Sequence, residues 1–112
     1  MDLFLEFSVL FDYYGTLLTE MQQNICDMYY NQNLSLTEIA EDLEITKQGV
    51  RDALKKSEKL LLKYENNLHI REKNEQISNF VQSIEEMLTE ATITDENKDR
   101  IRDLAEQINS LI

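Results

Sequence analysis

Proline and tryptophan are absent from this chain, and glycine occurs only twice, at positions 15 and 49. With so few residues able to build tight strand turns, a sheet protein is disfavoured and helices joined by short polar links are expected. The single cysteine, Cys26, leaves no disulfide partner within the chain. His69 is the only histidine and has no cysteine near it in sequence, so neither a zinc site nor a cysteine–histidine pair is suggested. No apolar run approaches the ~18 residues of a membrane span. The opening MDLFLEF is acidic where a secretory signal would be basic. These absences lead us to expect a soluble, cytoplasmic chain.

What is present is charge, unevenly placed. The 112 residues suit one domain with a modest core and a helical appendage. The net charge is −11, of which residues 1–45 hold −9 without one basic side chain, residues 46–73 hold +4, and residues 74–112 hold −6. Positive charge is therefore concentrated in one segment. Screening acts over about 8 Å at physiological salt, so distant acidic faces weaken long-range steering without cancelling a direct contact between Lys or Arg and a phosphate. Nucleic-acid binding, if present, is expected to be modest and local.

Apolar spacing organises the chain into helices. Leu3, Phe7, Leu10 and Tyr14 form a heptad-like line over about 2–14, with Phe4 and Phe11 beside it, and Gly15 is placed to end that helix in a left-handed turn. Thr19 with Gln22 reads as a capping box opening a helix through about Tyr30, with Met21, Ile25, Met28 and Tyr29 inward. The polar link Asn31-Gln32-Asn33 follows. In SLTEIAEDLEITKQGVRDALKK, from Ser35 to Lys56, Leu36, Ile39, Ala40 and Leu43 fall on one face of a short helix, and Ile45, Val50 and Leu54 continue an apolar face on a second. Ser35 and Glu38 are reciprocal caps of the first helix, and Thr46 caps the second. The small Ala40 suits two helices crossing closely. This is the pattern of a helix-turn-helix.

The second helix runs long. Val50, Leu54, Ser57, Leu61, Tyr64 and Leu68 keep a 4-3-4-3-4 spacing, the seam of helix against helix, with a break expected near Asn66-Asn67. Ile77, Phe80, Val81, Ile84 and Leu88 mark another amphipathic segment. After Thr92 or Thr94 as cap, Ile101, Leu104, Ala105, Ile108 and Leu111 mark a last helix. The expected fold is all-α with five or six helices: a helix-turn-helix domain over residues 1–70, and a C-terminal helical extension over 71–112 that packs on that domain or on a dimer partner.

In a helix-turn-helix the second helix enters the major groove and its first turns meet base edges. Here those turns carry Thr46, Lys47, Gln48, Gly49, Arg51 and Asp52. Gln suits adenine, and Arg or Lys suits guanine, by bidentate hydrogen bonding. Lys55, Lys56 and Lys59 lie farther along and more naturally meet phosphates. Gly49 inside a helix costs about 1 kcal/mol relative to Ala, which a close backbone approach would explain, although simple tolerance is the plain alternative. A solvated helix face is the plain reading of the charges.

The stretch ITKQGVRDALKKSEKLLLKYENNLHI, from Ile45 to Ile70, resembles the YlxM family of DNA-binding proteins associated with the signal recognition particle, with KYENNLH after the helix-turn-helix as its more specific part. The helix-turn-helix is also similar to region 4 of bacterial sigma factors. An aromatic N-terminal helix, the step at Leu17, Leu18 and Thr19, and the pair Tyr29-Tyr30 agree with the resemblance, which covers about residues 3–75. It implies a regulatory role, or contact with the particle's RNA or its GTPase, through a recognition helix beginning at Thr46. Lys47 and Lys56 stand where arginine is frequent in the family, which keeps charge but loses the planar fork that suits guanine.

Other chemistry finds little support. Glu41-Asp42, Glu85-Glu86 and Asp95-Glu96 are neighbours in sequence and so diverge around a helix. No enzyme activity and no cofactor are expected. Cys26 reads as a small buried hydrophobe; Tyr13, Tyr14, Tyr29 and Tyr30 have stacking on bases as an alternative but read mainly as core, as do Met21 and Met28. The rival reading is a protein-interaction module that uses the helix-turn-helix as scaffold and its acidic faces to meet a basic partner. The line from Leu3 to Tyr14 suggests a docking surface, and a homodimer is expected.

Overall fold

A computed structural model describes residues 2–89 and 94–111. Among these the chain is all-α, with six α-helices. It divides into two compact units, Met1–His69 and Ile70–Ile112.

In the first unit α1 (Leu3–Tyr14) opens on Asp2, whose carboxylate accepts from the Phe4 N–H at 2.9 Å. Gly15 does not close it in a left-handed turn. Its φ is −55°, and it begins one turn of 3-10 helix, Gly15–Leu17. The reason for glycine is steric: a Cβ there would lie 2.7 Å from Cε1 of the Phe11 ring. The helix α2 (Glu20–Cys26) starts with the reciprocal Thr19–Gln22 capping box. Five residues of π-helix, Asp27–Asn31, follow it. That wider turn rotates the chain, so Met28 and Tyr30 are buried and Tyr29 half-buried. In α2 the inward face is Gln22, Ile25 and Cys26, and Met21 is 52% exposed and leaves the expected inward set.

The helix-turn-helix comprises α3 (Leu36–Leu43) and α4 (Lys47–Leu68). The Ser35 hydroxyl accepts from the Glu38 N–H, and the Glu38 carboxylate from the Ser35 N–H, each at 3.1 Å. Glu44, with φ 57°, ends α3 in the left-handed conformation, and the Ile45 N–H donates back to the Ala40 carbonyl at 3.1 Å. Ile45 belongs to this turn rather than to the second helix, and is 38% exposed. Along α4 the seam Val50, Leu54, Ser57 and Leu61 is buried against α1, α2 and α3. The helix runs straight through Asn66 and Asn67 and stops at His69, φ 55°, whose N–H donates to the Glu65 carbonyl at 2.8 Å. Leu10, Tyr14, Leu18, Ile25, Cys26 and Ile39 complete the core. Leu10 and Tyr14 are thereby spent internally, so the expected line from Leu3 to Tyr14 is not a free surface.

In the second unit α5 (Ile70–Leu88) and α6 (Asp95–Leu111) pack on each other. Leu104 is buried, Ile77, Phe80, Ile84, Ile101 and Ile108 are half-buried, and Val81, Leu88 and Ala105 are exposed. Thr94 caps α6, its hydroxyl accepting from the Asn97 N–H at 3.1 Å; the alternative cap Thr92 lies outside the described residues.

Gly15→Ala is expected to destabilise the first unit by about 1–3 kcal/mol through overpacking against Phe11. Urea unfolding of Gly15→Ala, Phe11→Leu and the double variant measures it. A double variant no better than the sum of its singles would place the constraint elsewhere.

Candidate nucleic-acid interface

The candidate residues lie at the start and on the outer side of α4. Thr46 is the cap: its hydroxyl accepts from the Gly49 N–H at 2.9 Å. A Cβ on Gly49 would come within 3.1 Å of that same hydroxyl oxygen and otherwise meet open space. Glycine here both spares the cap and leaves the backbone open to approach. Lys47 places a cation at the positive end of the helix dipole, where it costs a few tenths of a kcal/mol or more, and no acidic side chain occupies that first turn. A local conflict of this kind is typical of a functional surface.

Successive steps of three and four residues put Gln48, Arg51, Lys55 and Lys59 on one stripe opposite the buried seam. At 1.5 Å per residue this stripe is about 16 Å long, and all four side chains are exposed. Lys47 and Lys56 are also exposed, but flank the stripe on opposite sides. The first turn is already ordered. The Gln48 amide donates to Asp52 at 2.8 Å, and the Arg51 guanidinium donates to the Gln48 carbonyl oxygen at 3.2 Å. Reading a base with Gln48 or Arg51 therefore means exchanging these bonds.

The neighbouring helix α3 is electrically opposite. Glu38, Glu41 and Asp42, with Glu44 in the turn, are exposed carboxylates, and with Leu34 the first three line an open depression.

Beside the stripe is a second depression of about 270 Å³, lined by Tyr29, Leu36, Arg51, Leu54, Lys55 and Glu58. Glu58 escapes the sequence reading, and Tyr29 reads there mainly as core. The π-helical turn that carries Tyr29 outward leaves no spacing signal, and Glu58 lies on the shoulder of a regular seam. Glu58 accepts from the Tyr30 hydroxyl at 3.0 Å. Tyr30 is in turn packed against Phe4, Phe11 and Tyr29 at ring-centre distances of 5.2, 6.4 and 5.0 Å. Burial, and then the charge of Glu58 and the hydrogen bond to it, push the Tyr30 phenol well above its ordinary range. Burial likewise raises the Cys26 thiol, against an opposing hydrogen bond with Ser57. Among the described residues no cluster of three or more His, Cys, Asp or Glu is placed to hold a metal ion, and no helix is long and apolar enough to cross a membrane.

Two capped helices joined by a left-handed turn, the second long and basic on its outer side, define a helix-turn-helix protein. A family model described as "UPF0122: Putative helix-turn-helix protein, YlxM / p13 like" matches residues 1–103, and the chain belongs to that family. It is similar to the UPF0122 protein of Clostridium novyi, at 35% identity over 96% of this chain and 93% of that one. It is similar also to the UPF0122 proteins of Clostridium kluyveri, at 49% identity over 62% of this chain and 63% of the relative, and of Desulforamulus reducens, at 51% over 58% and 56%. The match thus spans less than two thirds of the length of these last two relatives.

Cys26 and Tyr30 both hold their protons more tightly folded than unfolded. The stability they carry is complete below the unfolded pKa values of about 9 and 10 and is lost as pH rises beyond them. Urea unfolding from pH 8 to 11 should show falling stability, with a shallower fall in Tyr30→Phe than in the unchanged protein. Parallel curves would show that the phenol is not held this way.

Proposed function

We propose that this protein is a non-catalytic, nucleic-acid-binding regulator that acts in the cytoplasm through the outer side of α4. Thr46, Lys47, Gln48, Gly49, Arg51, Lys55, Lys56 and Lys59 form its contact surface. One observation carries the reading: a chain with no basic residue in its first 45 exposes an ordered cationic stripe on the recognition helix of a helix-turn-helix. Phosphate contacts by Lys55, Lys56 and Lys59 supply most of the affinity, and Gln48 and Arg51 supply base contact. The resemblance to the YlxM family, and to sigma region 4 within it, points to the RNA of the signal recognition particle, its GTPase, or a DNA site as the partner. The protein acts as a homodimer, a reading supported by the exposed apolar side chains Leu3, Leu5, Leu17 and Met21.

A second reading has its own support. The acidic depression on α3 suits a basic protein segment, with the helix-turn-helix as scaffold.

Arg51→Ala and Lys55→Glu should weaken binding to duplex DNA or particle RNA without lowering the melting temperature. Lys55→Glu should also reduce the salt dependence of binding by roughly one unit of slope. Fluorescence anisotropy at two salt concentrations tests this. Unchanged affinity in both variants, alongside retention of a basic protein partner, would favour the second reading. Sedimentation at tens of micromolar should give the dimer mass, and a monomer there would remove the homodimer.

A further inference from the structure

Two observations, taken together, narrow the kind of nucleic acid that α4 can accept. In duplex docking the first helix of a helix-turn-helix crosses the phosphate backbone while the second enters the groove. Here that first helix exposes Glu38, Glu41 and Asp42, with Glu44 in the turn, and carries no cation at all. Phosphates drawn along it meet only like charge. Within the first unit every Lys and Arg side chain lies on α4, and the stripe there borders a depression rather than a flat face.

The depression has the parts that hold an unstacked base. Tyr29, Leu36 and Leu54 give an aromatic and aliphatic floor, Arg51 and Lys55 stand at the edge, and Glu58 is the acceptor within it. Unpaired bases bind proteins by stacking on such side chains and by hydrogen bonds from their Watson–Crick edges. Glu58 has one oxygen engaged by Tyr30, and a carboxylate offers about four lone-pair sites. Guanine presents two adjacent donors, N1–H and the N2 amino group, to such an acceptor. Adenine and cytosine present one donor beside an acceptor nitrogen that the carboxylate repels, and uracil presents one donor between two carbonyls.

We propose that the Tyr29–Glu58 depression binds an unpaired guanine of a looped or single-stranded nucleic acid, with Arg51 beside the base and Lys55 on a flanking phosphate. This rests on the nucleic-acid reading above and adds to it the unpaired base and its identity.

Fluorescence anisotropy of the full chain tests it, with synthetic stem-loops carrying one guanine in a loop of uridines, in RNA and, with thymidines for uridines, in DNA. Matched probes replace that guanine by adenine or inosine, and a fully paired duplex completes the set. The guanine loop should bind roughly tenfold more tightly than the adenine loop, with inosine between them and the duplex weakest. The RNA and DNA arms show which backbone is taken. Glu58→Gln should abolish the guanine preference and tighten adenine-loop binding, because the amide donates to the adenine nitrogen that the carboxylate repels, and Tyr29→Leu should weaken all loops. The base replacements need no protein variant, so they decide even where Glu58→Gln fails to fold. Equal binding of guanine and adenine loops, or a duplex that binds best, overturns the site. If Arg51→Ala still weakens that binding, the broader reading stands; if no probe binds, both fall.

Discussion

The buried face of α4 is the constraint on which the first unit depends. α1, α2 and α3 all pack against this helix, and they meet it at Val50, Leu54, Ser57 and Leu61, which are 5% exposed or less. Ser57 turns its hydroxyl back to the Ala53 carbonyl at 2.8 Å. It therefore presents a small, satisfied surface beside Cys26, where α2 comes close. Larger side chains there would hold the helices apart. Tyrosines on other elements then reach α4 from the side, Tyr14 to Glu65 and Tyr30 to Glu58. A neutral phenol donating to a partly buried carboxylate satisfies both polar groups without burying a cation, which suits a region with no basic residue before Lys47.

The same constraint sorts the charges. Since one face of α4 is fully committed to packing, its cations stand on the other, and the cap at Thr46 fixes where that face begins. The acidic side chains of α3 set a boundary to the cationic area. In the first unit this leaves α4 as the one cationic surface, bordered by the carboxylates of α3. Specificity in such an arrangement comes as much from where phosphate is refused as from where it is held.

Much of this was legible in the sequence because local chemistry decided it. The caps at Thr19, Ser35, Thr46 and Thr94 are set by side chains that bond their own backbone, and the 4-3-4-3-4 seam of α4 follows from helical periodicity as far as Leu61. The departures are places where a neighbour decides. Gly15 answers to the Phe11 ring rather than to a backbone angle. The π-helical turn at Asp27–Asn31 inserts a residue that no spacing rule foresees, and so buries Tyr30 rather than Tyr29. Glu44 takes a left-handed conformation without being glycine, because the Ile45 N–H bond to Ala40 and the packing of Leu43 hold it. The depression beside the stripe was not legible for the same reason: it is assembled from Tyr29, Leu36 and α4, and no single segment contains it.

The central position of α4 has a consequence for synthesis. Translation delivers α1, α2 and α3 before the helix on which they all lie, so they leave the ribosome without the surface that covers most of their apolar faces. Over that interval the nascent segment carries nine carboxylates and no cation, a uniform charge that keeps chains apart. The acidity of the first 45 residues thus serves as protection against aggregation while the helix they need is still being made.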